Sequence, residues 1–312
     1  MAGDEKDMGF LSVGVQAWVA AFASLLVQSF YLVLLFFMFG LKTNLAKHIS
    51  VDVSPSLTLP ASPAETGYLH HADYHYNCLV ASLVHLAIEG IISIADHYEG
   101  WIIHMEAPCP SARAQEEKFL FQEMFKDKKT YLIERDAPTK FAELNKSFQI
   151  HMDKTFGSKL TKPHIEAILG VVTLAIFGGF LTFTANNCSA AIITIYSALS
   201  FVLAYIGTLI LRKPTSYLLR GHEIVSDLRS KIMKGPDPSK NTGEIIEDYF
   251  LKLPHAIALE VGRFWTIATV EMLKSRGVDP SSIEPEWYSN ENRGLMDIIG
   301  LIDGLIECLK NK

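Results

Sequence analysis

The chain has 312 residues, a net charge of -6, 49% hydrophobic residues and 20% charged residues. That mild acidity excludes the basic surface a nucleic-acid partner needs, and no block of like charges forms an acidic or basic tail. Cys78, Cys109, Cys188 and Cys308 make no C-x-x-C pair, so neither a disulfide framework nor a zinc finger is expected, only free thiols or packing residues.

Residues 1–16 read as a short external N-terminus. The first apolar run, residues 17–41, holds 25 residues and no charge. As a helix it would measure roughly 37 Å at ~1.5 Å per residue, enough to cross a ~30 Å hydrocarbon core with tilt. Gln28 is its only strongly polar member. The acidic start (Asp4, Glu5, Asp7) and the length of the run argue against a cleaved signal peptide.

Residues 42–69 read as a linker, because 50–66 are rich in Ser and Pro. Residues 70–164 read as a helical bundle on the inner side. Within it, residues 78–95 are apolar enough to suggest a further span. A crossing there would carry His85 and Glu89 through the bilayer centre, at about 2.5 to 3.5 kcal/mol for each ionised group. The segment is therefore expected to be a helix outside the membrane, with a re-entrant or spanning segment as the alternative. Ser82, His85, Glu89, Ser93, Asp96 and Gly100 fall at steps of three and four, which predicts one polar helix face across 70–104. Leu79, Leu83, Leu86, Ile91, Ile94 and Ile102 would form the buried face, and Pro108 and Pro110 would end the helix. Charged helices are expected over 112–133 and 138–152.

Residues 167–185 and 190–211 are uncharged runs close to the ~20 residues a spanning helix needs. Asn186, Asn187, Cys188 and Ser189 separate them, so residues 165–211 read as a transmembrane hairpin. Asn187-Cys188-Ser189 has the form of a glycosylation acceptor in a turn too short to be reached. Gly178-Gly179 and the hydroxyls of Thr173, Thr182, Thr184, Thr194, Tyr196 and Ser197 favour helix packing over a pore lining.

Residues 212–243 read as a helical stalk, 217–233, followed by a linker, 235–243. Residues 244–312 read as a C-terminal helical module. In it Pro254 would open a helix running to about Arg276, with Gly277 as its stop. Ser281-Ser282-Ile283-Glu284 matches a capping box. The last helix, residues 291–310, would place Ile298, Ile302, Leu305, Ile306 and Leu309 on an apolar stripe. Asp297, Gly300, Asp303, Gly304 and Glu307 would lie largely opposite. Its acidic polar face disfavours anionic lipid, so docking on protein is expected.

Positive residues flank the spans on one side: Lys42 and Lys47, then Lys154, Lys159 and Lys162, then Arg212, Lys213 and Arg220. The positive-inside rule then places the N-terminus and the hairpin turn outside, and the bulk of the chain on the cytosolic or matrix side. The expected fold class is all-α: a multi-pass membrane protein with three transmembrane helices and helical inner-side modules.

His70, His71, His75, His85, His97 and His104 fall within 35 residues, together with Asp73, Glu89, Asp96 and Glu99. His71 and His75 are four apart, as are His85 and Glu89, so each pair would share a helix face. His71, His75, His85 and Glu89 are the candidate ligands of a metal such as zinc or iron, or of a haem. The competing readings are solvated polar-face residues and a pH sensor. There is no H-E-x-x-H, Walker A, G-x-G-x-x-G or G-x-S-x-G sequence, so no catalytic residue is assigned and no cofactor is required.

These features point to a non-enzymatic, membrane-anchored scaffold or assembly subunit. Its partners would be the lipid bilayer and other protein subunits or further copies of itself, with no nucleic acid. One span, a large inner segment, a tight hairpin and an inner tail, with Gly170, Thr173 and Gly178 in the second span, resemble the layout of the MotA/TolQ/ExbB stator family. That resemblance implies an oligomeric channel or ion-driven unit and assigns no functional residue. A metal- or haem-dependent membrane enzyme using residues 70–104 is the third expectation.

Overall fold

The computed structural model describes residues 4–35, 37, 62–126, 128–163, 165–184, 190–210, 212–289 and 294–310. The expected linker up to residue 61, the 186–189 turn with its acceptor Asn187, Cys188 and the 291–293 start of the last helix lie outside them. The chain is mostly helical with a small sheet, and it divides into two compact units. One comprises residues 1–50 and 161–215, the other residues 51–160 and 216–312.

The first unit contains helices α1 (Asp4–Leu35), α6 (Ile165–Thr184) and α7 (Ala190–Ile210). Two of its helices hold stretches long and apolar enough to cross a membrane, Trp18–Leu35 in α1 and Ala190–Gly207 in α7. The apolar stretch of α6, Ile168–Leu181, is shorter. Large side chains such as Phe22, Phe30, Ile176, Phe180 and Phe201 face outward, a coat that suits lipid and not water. Between the helices, Ala21, Ile192 and Tyr196 pack together, as do Leu35 and Val171. Gln28 is fully buried and donates to the Tyr196 hydroxyl at 2.6 Å, which donates to the Ala175 carbonyl at 3.0 Å. Gly178 lets the helices close up: a Cβ there would sit 2.7 Å from Ser24 Cβ and collide with the Tyr196 hydroxyl. Thr173 and Thr194 return their hydroxyls to carbonyls of their own helices. Two short strands, β4 (Thr161–Pro163) and β5 (Arg212–Pro214), pair antiparallel at the ends of the hairpin.

The second unit opens with α2 (Pro63–His71) and α3 (Asn77–Ile88). α2 starts inside the expected linker. Ser62 caps it by accepting from Glu65 N–H at 3.1 Å, with Pro63 in the first turn. Most of α3 is buried, so Ser82, from the expected polar face, is as covered as Leu83 and donates to Cys78 O at 2.9 Å. At 12 residues, α3 falls short of the ~20 a spanning helix needs, and it belongs to the core of this unit.

The expected continuous helix over 70–104 is corrected. It stops at Gly90 (φ +69°), and β1 (Ile92–His97) and β2 (Gly100–Met105) follow as a hairpin. Ile92, Ser93 and Ile94 alternate buried and half-buried with a period of two, which outweighs the step-of-three-or-four count. The expected 112–133 helix is likewise shorter. α4 covers Gln115–Met124, and the β-prone Thr-Tyr-Leu-Ile-Glu run forms β3 (Thr130–Glu134). α5 (Thr139–Met152) matches its expectation and runs into a π-helical turn, Asp153–Gly157.

After the hairpin come α8 (Ser216–Met233), α9 (Thr242–Ala258), α10 (Gly262–Ser275), β6 (Tyr288–Ser289) and α11 (Asp297–Lys310). Pro254 lies inside α9 and does not open it. The start is set by a capping box, in which Asn241 Oδ1 accepts from Glu244 N–H at 2.9 Å and Glu244 Oε2 accepts from Asn241 N–H at 3.0 Å. Ser281 begins no capping box either: Pro280–Ser282 is a single 3-10 turn capped by Asp279.

The four strands lie in the order β3-β2-β1-β6. β1 and β2 are antiparallel with Ile94 opposite Ile103, and β6 joins parallel with Tyr288 opposite Ile94. One core therefore draws on both chain segments, including Leu79, Ile103, Phe148, Tyr249 and Trp265. α11 docks on it through Ile298, Leu301, Ile302 and Leu305. Gly304, expected on the polar face, instead lies against the Trp101 ring.

Candidate metal centre

The four expected ligands do not form one set. His71 and His75 come together, but not on a shared helix. α2 ends at His71, Ala72 takes the left-handed conformation (φ 56°), and the chain turns before α3 begins at Asn77. The turn stacks the two imidazoles with centroids 4.4 Å apart. This is too close for a haem to be held between them.

The third member, missed in the sequence, is Glu260. Its Oε1 lies 3.4 Å from His75 Nε2, and one donor atom each from His71, His75 and Glu260 lie within 4.8 Å of one another. Glu260 comes from 185 residues downstream of His75 in sequence, so no local spacing announces it.

Local backbone geometry sets its position. α3, α9 and α10 all end in a Schellman motif. At α3 the N–H groups of Ile91 and Gly90 reach Leu86 O and Ala87 O; at α10 those of Val278 and Gly277 reach Leu273 O and Lys274 O. Gly90 and Gly277 hold the left-handed position, at φ +69° and +76°. At α9 the same bonds run from Val261 and Glu260 to Ala256 O and Ile257 O, and Glu260 itself sits at φ 61°. A side chain there costs about 1 kcal/mol relative to glycine. Among the described residues, the non-glycine positions with positive φ are Ala72 and Glu260, and both shape this cluster.

The electrostatics favour a neutral imidazole at His75. Burial lowers the pKa of His75, with the neighbouring His71 adding to the effect. Burial, then His71, also brings His70 down to about 4. Asn77 N–H faces His75 Nδ1 at 3.4 Å, which leaves the neutral ring's proton on Nε2, toward Glu260.

His85 and Glu89 do share the end of one helix, with His85 Nε2 3.8 Å from Glu89 Oε1. Both already have other partners. His85 Nδ1 is 2.5 Å from Oε1 of the buried Glu117, and Arg113 pairs with Glu89. Nearby, Thr66 Oγ1 meets His255 Nδ1 at 2.9 Å, and Ser62 donates to Glu116. Burial drives His255 down to about 4 and pushes the Glu116 carboxyl up. A cleft of about 440 Å³ adjoins this network, with Glu89, Glu247, Glu284 and Glu286 around Phe250 and Trp287. His97 and His104 belong to the β1–β2 hairpin.

Comparison with protein-family models, curated proteins and solved structures finds no match for the chain.

Proposed function

We propose that the chain is a three-span membrane protein that holds its second unit on the inner side of the bilayer and works there as a non-enzymatic scaffold or assembly subunit. The observation that carries this reading is a parity argument. Residues 62–160 and 216–310 build one core, down to the parallel pairing of Ile94 with Tyr288, so they must share one side of any membrane. The chain between them then crosses an even number of times. If α7 spans, as its length and composition allow, α6 must be the return crossing despite its shorter apolar stretch. β4 and β5 support this by pairing the two ends of the hairpin. The basic flanks at Lys154, Lys159, Lys162, Arg212 and Lys213 favour that side as the inner one.

The scaffold role follows from what the second unit offers. Its acidic cleft, with Leu251 68% exposed at the margin, suits a basic, partly apolar segment of a partner subunit. Purification in mild detergent tests the reading. Other chains should copurify in fixed stoichiometry, and Glu247→Lys with Glu284→Lys should release them. A solitary monomer would sink it. A ring of identical copies that conducts ions in liposomes would replace it with the stator-like reading.

A further inference from the structure

We infer that His71, His75 and Glu260 form a binding site for a zinc-type divalent cation, with the fourth coordination position open. The site lies in the second unit and is independent of the scaffold reading.

The donor set decides the metal class. Two imidazoles and one carboxylate suit Zn²⁺ and its first-row neighbours, whereas Mg²⁺ and Ca²⁺ prefer all-oxygen shells. The geometry is close to what zinc needs. Bonds of about 2.0–2.1 Å place tetrahedral ligand atoms roughly 3.4 Å apart. His75 Nε2 and Glu260 Oε1 already stand at 3.4 Å, and the full set spans 4.8 Å. Rotation of side chains that are 23% and 47% exposed at His75 and Glu260 closes the remaining ångström or so.

A second observation points the same way. Three helix ends share one hydrogen-bond pattern; two use glycine and the third uses Glu260. Glycine would be the better residue for the fold alone. A carboxylate held in an unfavourable conformation beside two histidines fits strain retained for a ligand. α8 also stops at a glycine, Gly235, with φ +80°, while the other non-glycine residue in this conformation, Ala72, forms the turn that brings His71 onto His75.

Two features oppose the cation and set limits on its affinity. Lys310 lies over the Tyr76 ring and acts on His75, and Arg229 acts on His70. Binding at His75 Nε2 also moves that ring's proton to Nδ1, so the imidazole must give up the long 3.4 Å contact from Asn77 N–H. That contact is at the limit of a hydrogen bond, and its loss is small.

The test uses the full chain in detergent, titrated with Zn²⁺ or Co²⁺. One equivalent should bind, Co²⁺ should show the visible absorption of a tetrahedral site, and Zn²⁺ should raise the thermal midpoint. Mg²⁺ should do neither. His75→Ala should weaken binding about 100-fold and Glu260→Gln at least about 10-fold. His85→Ala should leave binding unchanged. Glu260→Gly separates the role of ligand from that of fold: without metal its midpoint should rise by roughly 2–4 °C, and added Zn²⁺ should no longer move it. No stoichiometric binding, or binding that survives both His75→Ala and Glu260→Gly, overturns the site. So does a loss of binding on His85→Ala in a chain that still folds.

Discussion

Gln28 of α1 donates its side-chain amide to the hydroxyl of Tyr196 on α7 at 2.6 Å, between three helices whose outer faces are apolar. In lipid, where helices gain nothing by hiding carbon from carbon, such a bond helps fix which faces meet. Tyr196 still has the Ala175 carbonyl as acceptor when Gln28 is removed. A double-mutant cycle of Gln28→Leu and Tyr196→Phe should therefore give a coupling of about 0.6 kcal/mol, at most about 1.7. The readout is SDS-induced unfolding of the purified chain in mixed micelles. A coupling of zero would mean the two side chains do not meet.

Two glycines of α11, four residues apart, should respond to alanine in opposite directions. At Gly300 an added Cβ meets nothing within 4 Å. Gly300→Ala should stabilise the second unit by about 0.5–1 kcal/mol through helix propensity. At Gly304 the Cβ would lie 2.5 Å from Trp101 Cη2, and that ring is buried and stacked under Arg135 at 4.9 Å. Gly304→Ala should cost about 1–3 kcal/mol as the indole is forced aside. Urea midpoints of the two variants check this, and equal shifts of the same sign would contradict it.

These glycines also show what the sequence carried and what it did not. The apolar stripe of α11 is visible as spacing, because it is a local periodicity. Which glycine touches Trp101 depends on a strand 200 residues away, and no local pattern encodes that. The same split runs through the fold. The apolar runs of α1, α6 and α7, the stop at Gly277 and the helix at α5 are written in consecutive residues. The β1–β2 hairpin was also legible, since Ile92-Ser93-Ile94 alternates, but a longer helical count masked it. Ser62-Pro63-Ala64-Glu65 and Asn241-Thr242-Gly243-Glu244 are helix-start signals that Ser- and Pro-rich surroundings made look like linker. At the candidate metal centre, His71 and His75 stood out by spacing. Glu260 did not, because its meaning lies in a positive φ at a helix end.

His255 should make the second unit sensitive to acid. It is inside the fold beside Thr66, and burial holds its pKa near 4, below the usual 6.5. Unfolding exposes it, so between pH 6.5 and 4 the unfolded chain binds the extra proton. Stability from this group is complete above about pH 6.5 and falls as the pH drops through that window, by on the order of 2 kcal/mol for a partly covered ring. Glu116, whose pKa is raised, works in the opposite sense, since its protonated form is the one the fold prefers. His255→Gln keeps a hydrogen-bonding group for the Thr66 hydroxyl and should flatten the decline. Urea midpoints of wild type and variant at pH 7 and pH 5 measure it. An unchanged slope would remove His255 as the cause.

The sidedness of the second unit can be checked without charge rules. Ser111 and Ser239 are both exposed, one in each chain segment of the second unit. With the native cysteines replaced, Ser111→Cys and Ser239→Cys should be labelled by a membrane-impermeant maleimide from the same side of sealed vesicles. A cysteine at position 187, between the two hairpin runs, should be labelled only from the other side. Residues 94 and 288 lie on paired strands, and a strand pair cannot straddle a bilayer, whose core satisfies no open sheet edge. If the two serine positions report opposite sides, α6 and α7 cannot both cross. If position 187 reports the same side as the serines, neither crosses, and the apolar coats of α6 and α7 would have to be covered by protein instead of lipid.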